Sequence, residues 1–209
     1  MGKVVKMFIF NYANIIDHLL RDVRTFTVKF TEAKKGDKIL DICCGTGNQL
    51  FYFAKLGVET VGIDINPKMI KIAEKRKYKL GVKNVSFLVG DAAKLPFEEN
   101  SFDLALISLA LHEIDENLRD KIISEMKQVV KENGSLIFID LNSPLPKNPQ
   151  SLFIKIVEYL MGKSRFKSYL ENGGLPALLE KNKLKLEKRD YLMSGLIEII
   201  KVKNNQNSP

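Results

Sequence analysis

The sequence predicts an α/β fold: a mostly parallel sheet with helices on both faces. Two observations carry that reading. Short strand-like segments alternate with helical patterns five times between Lys38 and Asp140, as successive βαβ units do. The segments are also nearly continuous apolar runs, which suits strands buried on both faces rather than on one. The connections are expected to be right-handed crossovers.

Taken in order, Ile9, Tyr12, Ile15, Ile16, Leu19, Leu20 and Val23 recur at helical spacing, so a leading helix is expected over residues 9–24. Gly36-Asp37 marks a turn before a strand over 38–43. The loop Gly45-Thr46-Gly47 then opens a helix over 48–55 that stops at Gly57. A second strand covers 59–64; Asn66 caps the helix after it, Pro67 occupies its first turn and Gly81 lies just past its end. Strands follow over 85–89, 102–108 and 134–140, with a helix over 117–131 between the last two. Beyond Asn142 a proline-rich connector leads to an apolar helix over 152–161, a basic stretch over 163–167 and, after Gly173-Gly174, a helix over 175–181. Segments 183–192 and 196–203 flank Ser194-Gly195 and read as a β-hairpin. A polar tail over 204–209 is expected to be disordered.

The 209 residues suit one domain, and 45% hydrophobic content excludes wholesale disorder. No apolar run approaches the roughly 18 residues of a membrane-spanning helix. The apolar run after Lys6 ends at Asn11, short of a signal peptide. Lys6 stands where myristoylation requires Ser or Thr. A cytoplasmic protein is therefore expected. Cys43 and Cys44 are adjacent and the only histidines are His18 and His112, so neither a disulfide framework nor a zinc site is expected. The net charge of +8 fits nucleic acid, an anionic surface, an acidic small molecule or plain solubility, and selects none of them.

In an open parallel sheet, ligands bind beyond the carboxyl ends of the strands. After strand one, the run Asp41 to Asn48 holds Gly45 and Gly47, which let backbone approach a ligand closely. It is not a dinucleotide fingerprint, because Leu50 stands at the third glycine position. It is not a P-loop either, since no Gly-Lys-Ser/Thr follows. After strand two comes Asp64, placed either to accept from ribose hydroxyls or to form the turn before Asn66-Pro67. After strand three, Asp91 suits an adenine amino group and disfavours a phosphate-bearing ligand. After strand four, His112 either orients and deprotonates a substrate or is a helix-start histidine bonded to backbone.

Together these segments resemble the class I S-adenosylmethionine-dependent methyltransferases. The resemblance runs through Ile39 to Gly47, Val61 to Asp64 with Asn66 to Met69, Gly90 to Phe97, Phe102 to Ile114, and Gly134 to Leu136. Within the family the likeness is to the small-molecule branch typified by ubiquinone/menaquinone biosynthesis C-methyltransferases. Cys43 replaces that branch's usual first glycine and Asn48 its usual acid.

The resemblance implies a Rossmann-like seven-stranded, mostly parallel sheet with an antiparallel last strand and a small helical cap. It implies S-adenosyl-L-methionine as cofactor, leaving S-adenosyl-L-homocysteine after in-line displacement. The implied cofactor residues are Asp41, Cys43, Gly45, Thr46, Gly47 and Asn48 around the amino-acid end, and Asp64 at the ribose. Asp91 and Ala92 are implied at the adenine, Ile65 and Met69 against the adenosine, and Ser108 and Leu109 near the sulfonium. His112 is the candidate catalytic residue, and no metal ligand set is implied. A sulfonium is already a good leaving group, so the protein chiefly positions the reactants, a contribution of up to about 7–11 kcal/mol.

One domain over 1–209 is expected. It comprises a helical cap over 1–30, the cofactor-binding core over 37–141, a helical substrate-cap insertion over 142–182, the hairpin over 183–203 and the tail. The acceptor is expected to be small and largely apolar, touched by Tyr12, His112, Phe153 and Tyr169. Contact with a membrane surface is compatible with the basic exterior. A nucleic-acid methyltransferase fits less well: Ser108 to Leu111 stand where base-aminomethylating relatives carry Asn/Asp-Pro-Pro-Tyr/Phe. A cofactor-binding protein without catalysis is the third reading.

Overall fold

Ile39, Leu40 and Ile42 are fully buried in β1 (Lys38–Ile42), as a strand covered on both faces requires. The same holds along β4 (Phe102–Ser108). Outside these lie β2 (Glu59–Asp64) and β3 (Val85–Val89) on one side, and β5 (Val130–Leu141), β6 (Leu186–Leu192) and β7 (Ile197–Lys203) on the other. The sheet order is β3-β2-β1-β4-β5-β7-β6 in a computed structural model that describes residues 20–160 and 164–205. β1 to β5 run parallel, and β7 lies antiparallel between β5 and β6. The strand order reverses between β1 and β4, which places the switch-point crevice over the carboxyl ends of those two strands.

Alternation along each strand sorts side chains into two cores. Leu136, Phe138, Ile200 and Val202 face a core shared with α4 (Glu116–Val129) and α7 (Gly174–Lys181). Ile137, Ile139, Ile197 and Ile199 face the opposite core, which takes Val23 and Phe30 from α1 (residues 20–31) and Phe53 from α2 (Asn48–Ala54). α3 (Pro67–Leu80) links β2 to β3 and is capped as its sequence foretold: the Asn66 side chain accepts from the Lys68 amide, and Gly81 closes it at φ 64°.

Several boundaries move for physical reasons. Residues 9–19 of the expected leading helix lie outside the described residues, and the described part continues past Val23 to residue 31. Its β-branched stretch stays helical because Thr27 and Thr31 donate to the Val23 and Val28 carbonyls, while Phe30 buries itself on the sheet. β5 starts at Val130 rather than 134, because Val130 ends α4 in extended conformation and pairs at once with Phe102. The basic stretch after residue 163 forms α6 (Ser164–Glu171), with Phe166 and Tyr169 buried three residues apart. Before it runs α5 (Pro149–Leu160). No helix among the described residues is long and apolar enough to cross a membrane.

The expected tail is corrected at its first residue. Asn204 is fully buried. Its amide nitrogen donates to the Lys127 and Val130 carbonyls at 2.8 and 2.6 Å, and its backbone pairs with Asn133 and Gly134. It locks the α4–β5 corner from a position where sequence showed only polarity. Asn204→Ala should orphan those carbonyls and lower unfolding free energy by about 1–3 kcal/mol. Urea denaturation reads this directly as a lower midpoint.

Candidate active site

The chain leaves β1 through three left-handed residues, Cys43 at φ 57°, Gly45 at 54° and Gly47 at 72°. A glycine is required at Gly47, where an added Cβ would lie 2.4 Å from the Phe87 ring. At Gly45 an added Cβ would meet nothing within 4 Å, so the loop presents bare backbone to open space. The Gly45 amide donates to Asp64 Oδ2 at 2.8 Å, and the other Asp64 oxygen accepts from the Asn66 amide at 2.8 Å. Asp64 therefore forms the expected turn before Asn66-Pro67 and also holds the glycine loop. Arg76 of α3 donates to Thr46 Oγ1 and Asn48 Oδ1, holding the far side of the loop.

This loop bounds a cavity of 210 Å³ lined by Asp41, Cys43, Gly45, Thr46, Asn48, Ser108 and Leu109, with Arg24 and Gln49 completing it. Asp41 is buried. Burial first, and then the charge of Asp64, pushes its carboxyl up to about 8, against the pull of nearby Arg24. The Cys43 thiol is pushed up to about 12 by burial and then by Asp64, Asp41 and Asp91 in turn. The acids at the ends of β1, β2 and β3 thus converge electrically on one loop. A larger open groove of 890 Å³ outside α2 shares Arg24 and Asn48 but none of these acids, so the chemistry belongs to the smaller cavity.

On the same edge, Ile65 is 71% exposed, and Met69 lies in the first turn of α3. Asp91 is exposed and folds its side chain onto the Ala93 amide, with Ala92 buried beside it. The loop after β4 is tied to β5 where the Leu109 amide donates to the Ile139 carbonyl. Four residues beyond Ser108, His112 sits in a short 3₁₀ turn, Leu111–Glu113. Its ring is bonded to a carboxylate rather than to backbone: Nδ1 lies 2.5 Å from Asp140 Oδ1, and Asp140 is fully buried.

Sequence reasoning missed Asp140 and Arg24. Asp140 reads as one more residue of an apolar strand, and only the β4–β5 pairing brings it under His112. Arg24 belongs to no motif; α1 alone carries it to Asp41. Three expected acceptor contacts, His112, Phe153 and Tyr169, do not line the cavity. Tyr169 is 1% exposed, packed edge-on against His112 and under Arg119, with its hydroxyl donating to the Leu141 carbonyl. It is core, because the cap closes directly onto the sheet there. Phe153 is half exposed on α5, and Tyr12 lies outside the described residues.

The glycine loop thus lies at the switch point, with acids at the ends of three successive parallel strands. The chain belongs to the methyltransferase domain family, whose model matches residues 33–174. A Bacillus cereus demethylmenaquinone methyltransferase is 32% identical over 154 residues, 71% of this chain and 64% of the relative's own length. Among solved structures, a Pyrococcus horikoshii protein superposes with TM-score 0.72 at 19% identity over 90% of each chain. A SAM-dependent methyltransferase from Aquifex aeolicus does so with TM-score 0.65 at 21% identity, covering 86% of this chain and 88% of that one. These two likenesses are likenesses of fold.

Asp41 contributes stability that is complete below the ordinary carboxylate value and is lost as pH rises through about 8. Between about pH 6 and about pH 9, Asp41→Asn should therefore flatten the decline in melting temperature seen for the wild-type chain. Differential scanning calorimetry across that range measures it.

Proposed function

We propose that this chain transfers the methyl group of S-adenosylmethionine to a small, largely apolar acceptor. The acceptor proposed is a demethylated naphthoquinol of the kind named by the Bacillus cereus relative. The observation that carries the reading is the open backbone at Gly45, set between buried Asp41 and Asp64 at the wall of the cavity. Bare backbone beside acidic groups fits a nucleoside-sized ligand that brings a cationic group to them.

The residues present fit that cofactor. Asp41, once ionised by the incoming ammonium, and the Arg24 guanidinium match the ammonium and carboxylate of its amino-acid end. Asp64 retains lone pairs for ribose hydroxyls after accepting two amides, and exposed Asp91 would accept from the adenine amino group. Ile65 and Met69 supply apolar surface for the adenosine. When bound, the cofactor supplies a methyl group already activated by a sulfonium.

The chain then has to hold the acceptor in line and, where the nucleophile carries a proton, remove it. His112 is the group for that proton. Its loop begins with Ser108 and Leu109 at the cavity wall.

Purified full-length protein, incubated with S-adenosylmethionine and a 2-prenyl-1,4-naphthohydroquinone, should yield the ring-methylated product by mass spectrometry. Product absent while cofactor binding is retained would overturn the acceptor. Asp64→Ala should weaken S-adenosylmethionine binding by about 1–3 kcal/mol, measured by isothermal titration calorimetry. Binding to Asp41 in its protonated form should also release a proton below about pH 8, seen as a dependence of the binding heat on the buffer's ionisation enthalpy.

A further inference from the structure

A carboxylate inside an apolar strand needs a reason. Asp140 is fully exposed to neither solvent nor cavity; it lies at 0% accessibility between Ile139 and Leu141 near the end of β5. Removing a charge from water is expensive unless it is hydrogen-bonded, and an apolar side chain would satisfy the packing. Its oxygens face three nitrogens: the His112 amide donates to Oδ2 at 3.2 Å, the Leu141 amide donates to Oδ1 at 2.7 Å, and His112 Nδ1 lies 2.5 Å from Oδ1. Two of those three belong to His112. An ionised carboxylate accepts and does not donate, so Nδ1 must carry the proton. In a neutral imidazole that makes Nε2 the acceptor nitrogen.

We propose that Asp140 is the positioning residue of a general base: it fixes His112 as the Nδ1–H tautomer and holds its turn, so that Nε2 takes the proton of the methyl acceptor. The inference rests on the methyltransferase reading given above. In the step served, the acceptor's O–H or ring C–H bond breaks with its proton going to Nε2. An electron pair of the acceptor forms the bond to the methyl carbon, and the S–CH3 bond breaks with its pair left on sulfur. The proton on Nε2 then passes to water.

The surroundings agree with this orientation. The ring is held edge-on by Phe166 and Tyr169 from α6, so it cannot turn over without displacing the helix. Nε2 lies 3.9 Å from the half-exposed carboxylate of Glu113. Among the charges nearby, buried Glu198, opposite Asp140 across the β5–β7 pair, has Arg189 3.0 Å from one carboxylate oxygen, and Arg119 is bonded to the Leu111 and Ile114 carbonyls.

Only His18 and His112 contribute imidazole signals, so the tautomer can be read without any acceptor. Long-range ¹H–¹⁵N correlation on the ¹⁵N-histidine-labelled full chain, with His18→Gln for assignment, should show His112 protonated at Nδ1 and bare at Nε2 near neutral pH. A spectrum of the Nε2–H form, or of a doubly protonated ring, would overturn the proposal. Kinetics with the naphthohydroquinone probe form the second arm. Asp140→Asn should lower kcat on the order of 10²-fold while the KM and calorimetric affinity for S-adenosylmethionine stay at wild-type values. The loss should not deepen when His112→Gln is already present, because both act through one group. Additive losses in the double variant, or a fall in cofactor affinity, would make Asp140 merely structural and overturn the proposal. If the wild-type chain leaves the probe unmethylated, the acceptor assignment fails, while the wild-type spectrum still decides the role of Asp140.

Discussion

The carboxyl edge of the sheet depends on one hydrogen bond, the one that Asp64 accepts from the Gly45 amide. β1 must hand over to α2 within a few residues while leaving its last side chains at the crevice. That requires left-handed backbone at Cys43, Gly45 and Gly47, which is costly for any residue with a Cβ. At Gly47 the compact solution also needs the absence of a side chain, because the Phe87 ring fills that space. Asp64 anchors the loop from the neighbouring strand, and Arg76 anchors it from α3. With both in place the loop becomes a rigid wall whose outward side is bare backbone.

The same anchor sets the electrostatics. Holding Asp64 against the loop brings it near Asp41, and their mutual repulsion adds to burial in raising the Asp41 carboxyl. The cavity therefore gathers acids whose repulsion is met by protonation of Asp41, by Arg24 or by a bound cation. That is a selection rule as well as a source of affinity: a pyrophosphate would meet the same acids as repulsion. The net +8 of the chain does not contradict it, since a chain's net charge does not fix the field inside one cavity.

A second polar assembly sits one strand over. Arg119, buried at 1% exposure, bonds the Leu111 and Ile114 carbonyls and reaches the Arg165 carbonyl, tying the His112 turn to the cap helix α6. Arg165 adds an ion pair to Asp115 on the surface, where the screening is greater and the contribution smaller. His112 is thus held from the sheet by Asp140 and from the cap by aromatic rings. The cofactor loop and the His112 turn are built separately, but both hang from the ends of adjacent strands, so their separation is set by the β1–β4 pairing.

The sequence by itself determined the alternation of strands and helices, the glycine loop, and the acids at the ends of β1, β2 and β3. These are local properties: apolar runs, caps and turns act over a few residues, and in a parallel sheet every strand end falls on one edge. Asp41, Asp64, Cys43, Gly45, Thr46, Asn48, Ser108 and Leu109 were legible for that reason. What only the tertiary structure decided involves partners far apart in the chain. The pairing of β4 with β5 joins His112 to Asp140 across 28 positions. The return of α6 onto the sheet puts Tyr169 in the core instead of the acceptor space, and α1 brings Arg24 to Asp41. Asn204 looks like the start of a polar tail until the α4–β5 corner supplies carbonyls for it. None of these contacts has a periodicity or a motif, because each depends on strand order and register rather than on neighbouring residues.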